Sequence, residues 1–255
     1  MKQKNLKLLA KNLNNKILKS KNFSNIPFEH VFVDNFLPKE FATLCEKSFP
    51  KIEKNKWEHI KVDKVEKKYR SLWKSEFDVP ENIVDLVRIL NSSFTLKTLS
   101  KLFKIPKLLP DPYFKGGGLN LSEKGGALGT HIDGNYNDET GLNRRLNVLI
   151  YFTKNWKKNY GGNLGFFNYN GKKLNKKIEP KFNRNVIFNT NDFSNHGIPE
   201  YKKNPKKNPR KSLILYYYTK SNRDKSEIKI TKPHSAIWVN KKYKDHKNKK
   251  TRKYY

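Results

Sequence analysis

Two histidines and one aspartate are the residues of this sequence whose types and spacing could do chemistry together. His131, Ile132 and Asp133 lie in residues 126–133, a segment with the pattern of a β-strand. Because side chains alternate between the two faces of a strand, His131 and Asp133 point the same way and Ile132 points to the opposite face. An imidazole and a carboxylate on one face supply two ligands of a metal site, and a third must come from elsewhere.

His196 is the candidate for the third ligand. It follows a predicted strand that ends at Phe188 and lies in a short polar loop before Gly197. Two histidines and one carboxylate on one side of a metal leave three coordination positions open, an arrangement typical of non-haem Fe(II) oxygenases. The His-x-Asp pair alone is a weak signal, since it also occurs on ordinary polar strands, so this interpretation depends on finding more of the site.

Arg210 and Ser212 supply more of it. They precede the apolar run 213–218, which is predicted to form a strand, and they share one face of that strand. A guanidinium can bind a carboxylate through two parallel hydrogen bonds, and a hydroxyl can add another donor. The pair suits the distal carboxylate of a small dicarboxylic acid whose other end binds the metal. The alternative is a solvated arginine near the start of a strand.

In this order, His131-x-Asp133, His196 and Arg210-x-Ser212 resemble the Fe(II)/2-oxoglutarate-dependent dioxygenases, with the closest likeness to the prolyl-4-hydroxylase-like branch. Flanking segments are similar to that branch as well. These segments are residues 32–38, 151–162 and 178–184.

The resemblance covers roughly residues 30–239 and implies an all-β core with flanking helices. This core is a double-stranded β-helix (a jelly roll, cupin-like) of the 2-oxoglutarate oxygenase type. The short strands between Gly, Asn and Pro turns in residues 113–219 by themselves favour a sandwich or barrel.

We expect three regions along the chain. Residues 1–26 form a basic N-terminal helix or arm, and the spacing of its leucines favours a helix packed on its own domain over one on a membrane surface. A single oxygenase domain follows, and a basic C-terminal tail ends the chain. The expected bounds are 27–239 for the oxygenase domain (27–110 helical support, 111–220 jelly-roll core, 221–239 closing segment) and 240–255 for the tail.

The resemblance also implies roles for individual residues. Fe(II) would be bound by His131, Asp133 and His196. The 5-carboxylate of 2-oxoglutarate would be bound by Arg210 and the Tyr151 phenol, with Ser212 as a weaker assistant. The alternative for Tyr151 is a core aromatic. O2 is the other cosubstrate, and ascorbate is an optional further cofactor.

The implied activity is hydroxylation of a substrate C–H bond by a 2-oxoglutarate-dependent Fe(II) dioxygenase, with succinate and CO2 as co-products. Two substrate classes stay open: a peptide, through a prolyl or other residue, and a small molecule such as a sugar or glycan precursor. A lysine-rich rim in residues 199–209 would suit an acidic substrate. The alternative from another class is a basic nucleic-acid-binding protein whose iron site is idle or acts on a nucleobase.

The charge of the chain is the reason for that alternative. Lys and Arg number 55 against 23 Asp and Glu, which gives a formal net charge of +32. The excess is nearly all lysine, with 47 Lys and 8 Arg, whereas arginine is the residue suited to bidentate phosphate recognition. Because asparagine is also abundant, a coding bias spread over the surface is favoured over a nucleic-acid partner.

Two simpler observations exclude other classes of protein. Cys45 is the single cysteine, so neither an internal disulfide framework nor a cysteine-based zinc site is available. No apolar run approaches the roughly 18 residues that span a bilayer, and the N-terminal residues lack the pattern of a signal peptide. We therefore expect no transmembrane segment and a cytoplasmic location.

Overall fold

The computed structural model describes residues 1–62, 65–199 and 208–239. The tail expected over 240–255 and most of the lysine-rich rim lie outside the described residues. The α-helices are α1 Gln3–Leu18, α2 Lys39–Lys47, α3 Glu81–Leu90 and α4 Ser93–Leu102. The strands are β1 His30–Val33, β2 Trp57–Val62, β3 Glu66–Ser71, β4 Leu109–Pro110, β5 Gly118–Ser122, β6 Ala127–Ile132, β7 Tyr136–Asn137, β8 Leu142–Tyr151, β9 Leu164–Phe167, β10 Leu174–Ile178, β11 Asn185–Asn189, β12 His196–Ile198, β13 Arg210–Thr219 and β14 Ile237–Trp238.

The helices form a layer against one face of the sheet. On α1, the apolar side chains at helical spacing, Leu13 and Ile17 among them, are buried against α3 and α4. The expectation that this segment packs on its own domain is confirmed. Helix α4 begins where the Ser92 side chain accepts a hydrogen bond from the backbone N–H of Thr95. None of the described helices is long and apolar enough to cross a membrane.

The strands form one strongly curled sheet. The path of hydrogen-bonded neighbours runs β1-β11-β8-β13-β5-β3-β6-β12-β9-β10, and all the pairings are antiparallel. The first part of this path, β1-β11-β8-β13-β5, lies against the helices. The last part, β6-β12-β9-β10, folds back over the first. The result is a half-barrel with an interior between its two parts.

Alternation along β8 separates the helix-facing core from that interior. Leu146, Val148 and Ile150 belong to the cluster packed with the helices, whereas Leu149 and Tyr151 belong to a second cluster inside the curled sheet. Strand β13, which pairs with β8, alternates in the same way. The inward side chains of these two strands therefore reach the space between the two parts of the sheet.

A hairpin formed by β2 and β3 closes one side of the half-barrel. Strand β3 pairs with β5 at Tyr69 and Arg70, and with β6 at Glu66 and Lys67. At its base, the Ser71 hydroxyl accepts a hydrogen bond from the backbone N–H of the β5 residue Leu119, at 2.9 Å. The β2–β3 hairpin thus connects the edges of the two parts of the sheet.

Most strands occupy the places that their sequence pattern predicts, with ends shifted by a few residues. The loop predicted around His196 is wrong, because this residue begins the short strand β12 and pairs with both β6 and β9. The β2–β3 hairpin was not foreseen, since its strands carry mostly charged side chains. The domain bounds given above remain a prediction.

Candidate metal centre and cosubstrate pocket

The pairing of β6 with β12 brings the three predicted metal ligands together. His196 is the direct backbone partner of His131, and Asp133 follows one residue after β6 ends. One ligand atom from each residue can be chosen so that all three atoms lie within 4.8 Å of one another. All three side chains are buried. The arrangement is therefore a compact, enclosed group of two imidazoles and one carboxylate.

Hydrogen bonds fix the orientation of both imidazole rings. Nδ1 of His131 lies 2.8 Å from the carbonyl oxygen of Gly129, and Nδ1 of His196 lies 2.9 Å from that of Ser194. A carbonyl only accepts, so each Nδ1 carries the proton, and each Nε2 keeps a lone pair. These Nε2 atoms lie 3.4 Å and 3.8 Å from Oδ1 of Asp133. The two Nε2 atoms therefore converge on the carboxylate.

The electrostatics keep Asp133 and His196 in the form that binds a cation. Burial would raise the pKa of the Asp133 carboxyl, but the two imidazoles and the Arg144 guanidinium outweigh burial and hold that pKa well below its usual range. Burial, with a smaller contribution from His131, lowers the pKa of His196 to about 4. At neutral pH Asp133 is ionised and His196 is neutral. Metal ligands need these two protonation states.

The donor set fits Fe(II). Imidazole suits iron, and two histidines with one carboxylate on one side are the arrangement of non-haem Fe(II) sites. A further hydrogen bond supports the carboxylate, because the Asn147 amide donates to Oδ2 of Asp133 at 3.3 Å. In metal sites generally, hydrogen bonds from neighbouring residues hold the ligand side chains in the orientation that binds the metal.

A second polar site lies deeper between the two parts of the sheet, on β13 and β8. Arg210 is 3% exposed, and its guanidinium donates to the Tyr151 hydroxyl at 3.3 Å and to the Gly162 carbonyl at 3.1 Å. Its Cζ atom lies 4.8 Å from the centre of the Tyr151 ring. Burial raises the pKa of this phenol, so it stays protonated and can donate. Among the described residues, no carboxylate forms an ion pair with Arg210.

Two orphaned polar atoms lie in this region. Ser212 Oγ and Asn120 Oδ1 are buried and have no hydrogen-bond partner in the described part of the chain. Asn120 is the backbone partner of Ser212, and both line a small cavity together with Arg210. We call this cavity the cosubstrate pocket. A buried cation without a counter-charge and polar groups without partners fit an incoming carboxylate, such as the 5-carboxylate of 2-oxoglutarate.

The structure brings all six predicted site residues to the interior of the half-barrel and also adds residues that the sequence did not reveal. The Arg144 side chain lies near Asp133, and its Cζ atom is 3.9 Å from the centre of the Tyr216 ring. The register of the pairing between β8 and β13 shifts between Tyr217 and Tyr218. Simple alternation along β8 therefore does not predict which way Arg144 points. The indole of Trp238 lies 4.7 Å from the His131 ring, between ring centroids.

Trp238 belongs to a segment, residues 228–239, that we call the strap. Asp192 holds its beginning, because Oδ2 accepts hydrogen bonds from the backbone N–H groups of Lys229 at 2.7 Å and Ile230 at 2.9 Å. Near its end, Ile237 and Trp238 pair with β6. The strap thereby extends the sheet along the edge of the strand that carries His131.

Comparison with known proteins agrees with this geometry. Residues 117–218, which include all six predicted site residues, match the family model described as the 2OG-Fe(II) oxygenase superfamily. Fold and site are therefore similar to those of the 2-oxoglutarate-dependent Fe(II) oxygenases. The match covers 102 of the 255 residues, and it confirms the resemblance inferred from the sequence. No curated protein matches the chain by sequence.

Solved structures show the same fold in prolyl hydroxylases. A prolyl hydroxylase from Trichoplax adhaerens, in complex with a hypoxia inducible factor oxygen degradation domain peptide fragment, is 19% identical with a TM-score of 0.55, over 86% of this chain and 94% of that one. A prolyl-4-hydroxylase from Pseudomonas putida is 11% identical with a TM-score of 0.53, over 84% and 100%. One from Phytophthora capsici is 19% identical with a TM-score of 0.51, over 82% and 65%. The double-stranded β-helix expected for the core is therefore confirmed.

Proposed function

We propose that this protein is an active Fe(II)- and 2-oxoglutarate-dependent dioxygenase that hydroxylates a C–H bond of its substrate. The observation that carries the proposal is the convergence of the two free Nε2 atoms on the Asp133 carboxylate. His131, Asp133 and His196 are the proposed metal ligands. The reaction balances as substrate, 2-oxoglutarate and O2 giving hydroxylated substrate, succinate and CO2, with one oxygen atom entering the substrate and the other entering succinate.

A bound iron would supply the activation of O2. The residues of the chain would bind the iron and the cosubstrate, orient them and shield them from bulk water. The Nδ1 hydrogen bonds hold the imidazole rings of His131 and His196 for ligation. Asn147 holds the carboxylate of Asp133. Burial of this group excludes bulk water from the place where reactive species form.

Arg210 and its neighbours are the proposed binding site for the 5-carboxylate of 2-oxoglutarate. The guanidinium supplies charge-assisted hydrogen bonds, and the hydroxyls of Tyr151 and Ser212 supply further donors. Asn120 lines the same pocket. Ascorbate has no residue assigned to it.

For the substrate we favour a peptide over a sugar or glycan precursor. The support is the likeness in fold to prolyl hydroxylases, one of which is bound to a peptide fragment. The wall beside Asp133 is polar and aromatic, with Arg144 stacked on Tyr216. Such a wall can donate hydrogen bonds to a peptide carbonyl and pack against an apolar ring.

The test is binding followed by turnover. Under anaerobic conditions the protein with Fe(II) should bind 2-oxoglutarate and develop a visible charge-transfer absorption, and admission of air should release succinate without added substrate. Asp133→Ala should abolish both signals. Glu40→Ala, which removes an exposed carboxylate on α2, is the matched control and should leave both unchanged. Succinate formation by Asp133→Ala would overturn the assignment.

A further inference from the structure

The inner face of β3 carries charged side chains that neither the predicted metal ligands nor the predicted carboxylate site includes. Glu66, Lys68 and Arg70 alternate along the strand and therefore share a face. Lys67 lies between them on the opposite face and is exposed. The Lys68 ammonium lies 2.9 Å from Oε1 of Glu66, and each of these two side chains is only 17% exposed.

Lys68 lines the cosubstrate pocket. The cavity that contains Arg210 and Ser212 is bounded on the hairpin side by Lys68. The backbone pairings explain why, since β3 pairs with β6 on one side of Lys68 and with β5 on the other. The side chain thus reaches the gap between the edges of the two parts of the sheet. In that gap it stands across from the strand that carries Arg210.

The charges in this region favour a second cation for the ligand. 2-Oxoglutarate is a dianion. One end of it would bind the metal, and in the described structure Arg210 is the buried cation proposed for the 5-carboxylate at the other end, in the cavity that Lys68 also lines. Lys68 carries three donors on a flexible stem, and its partner Glu66 is an acid within the same half-buried region. An ammonium held near a pocket by one carboxylate can be shared with a second carboxylate when that group arrives.

We propose that Lys68 is a further cosubstrate-binding residue, which connects strand β3 to the bound 2-oxoglutarate. This inference rests on the proposed function and deepens it. Lys68 donates a charge-assisted hydrogen bond to a carboxylate of the cosubstrate. Strand β3 becomes more ordered as the pocket fills. Glu66 keeps the ammonium in place before the cosubstrate binds.

The experiment measures 2-oxoglutarate affinity with the full chain loaded with Mn(II) in anaerobic buffer, by isothermal titration. Lys68→Met should weaken 2-oxoglutarate binding by roughly 10-fold, the loss expected for one charge-assisted hydrogen bond at a partly exposed site. Lys67→Met is the matched control, because it removes the same charge one residue away on the exposed face. It should bind like the wild type. Lys68→Arg should recover most of the affinity.

Removal of Lys68 leaves Glu66 unpaired, and a second variant separates the two effects. In Glu66→Gln/Lys68→Met both charges are gone, and binding should stay weak. If the double variant binds like the wild type, repulsion by an unpaired Glu66 explains the single variant and the proposal is overturned. It is equally overturned if Lys67→Met weakens binding as much as Lys68→Met, because only the overall charge then matters.

Hydrogen–deuterium exchange of strand β3, residues 66–71, gives a readout independent of affinity. Saturating 2-oxoglutarate should slow exchange there in the wild type and in Lys67→Met, and should leave it unchanged in Lys68→Met. Equal protection in all three proteins would contradict a contact between Lys68 and the cosubstrate. The failure of the proposed function looks different, since a wild-type protein that binds no 2-oxoglutarate contradicts that function itself.

Discussion

His131 and His196 are direct partners across an antiparallel strand pair, and their ring centroids lie 4.4 Å apart. Two segments far apart in the sequence thus bring their imidazoles to one point through backbone hydrogen bonds. Each ring is then oriented by its own local carbonyl. The site is organised by the sheet itself, so little rearrangement is expected when a cation binds.

The first prediction concerns stabilisation by metal. A cation that binds the folded chain and not the unfolded one raises the free energy of unfolding by about 2.7 kcal/mol at 100 times its Kd. Anaerobic Mn(II) should therefore raise the Tm measured by differential scanning calorimetry. Asp133→Ala should remove the shift, whereas Asp78→Ala, at an exposed turn, should keep it. A full shift in Asp133→Ala would place the metal elsewhere.

The second prediction concerns the base of the β2–β3 hairpin. Gly118 has a φ of +103°, and a Cβ atom there would collide with Ser71 Oγ. Gly118→Ala should therefore lower the free energy of unfolding by roughly 1–3 kcal/mol, through backbone strain and the lost fit of the hairpin. Urea unfolding measures this loss. Ser71→Ala in the same chain should recover only part of it, because the positive φ remains. A Gly118→Ala protein as stable as the wild type would refute the argument.

The third prediction concerns acid stability. Burial lowers the pKa of His30 from its usual 6.5, and its Nδ1 hydrogen bond to the Phe28 carbonyl opposes this only in part. Below pH 6.5 the unfolded chain therefore binds a proton that the folded chain resists, so stability should fall as the pH drops, by at most about 1.4 kcal/mol per pH unit. His30→Gln should flatten the pH dependence of the free energy of unfolding.

An exposed histidine provides the control for that measurement. His59 lies on β2, stacked on Tyr69, with ring centroids 4.4 Å apart. His59→Gln should leave the pH dependence as it is in the wild type. An identical profile for His30→Gln and the wild type would mean that other groups cause the acid sensitivity.

The fourth prediction concerns the strap. Asp192→Ala removes the carboxylate that accepts from the backbone of Lys229 and Ile230, a loss of roughly 1–3 kcal/mol of local stability. Exchange of the amides in residues 228–239 should accelerate roughly 10-fold or more, and tryptophan emission should shift to the red as Trp238 becomes exposed.

Asp78→Ala is again the matched control, since Asp78 also accepts from two backbone N–H groups but lies far from the strap in sequence. It should change neither the strap's exchange nor the emission maximum. Unchanged exchange in Asp192→Ala would show that pairing with β6 alone holds the strap.

Much of this site could be predicted from the sequence because its geometry is local. Alternation along one strand places His131 beside Asp133, and alternation along another places Arg210 beside Ser212. The order of these motifs, with His196 between them, carries the family resemblance. The strand core follows from apolar runs between turn residues, which local pattern is sufficient to detect.

The other parts of the fold and of the site depend on long-range strand pairing, which no local sequence pattern encodes. His196 looks like a loop residue because β12 has three residues, and only its partners on β6 and β9 make it a strand. The β2–β3 hairpin is mostly charged, so its strands lack an alternation of apolar and polar residues. The proposed role of Lys68 depends on its position at the cosubstrate pocket, which the sequence does not reveal. Arg144 points inward near a register shift between β8 and β13.

The carbonyls that orient the two imidazoles come in each case from the residue two positions earlier, Gly129 for His131 and Ser194 for His196. Buried His30 uses Phe28 in the same way. Such short-range support makes the orientation of the proposed metal ligands independent of distant parts of the chain. Loops, the hairpin and the strap can therefore change without reorienting these ligands. A scaffold of this kind can acquire new substrates through changes in its loops, its hairpin and its strap, while the proposed metal ligands keep their orientation.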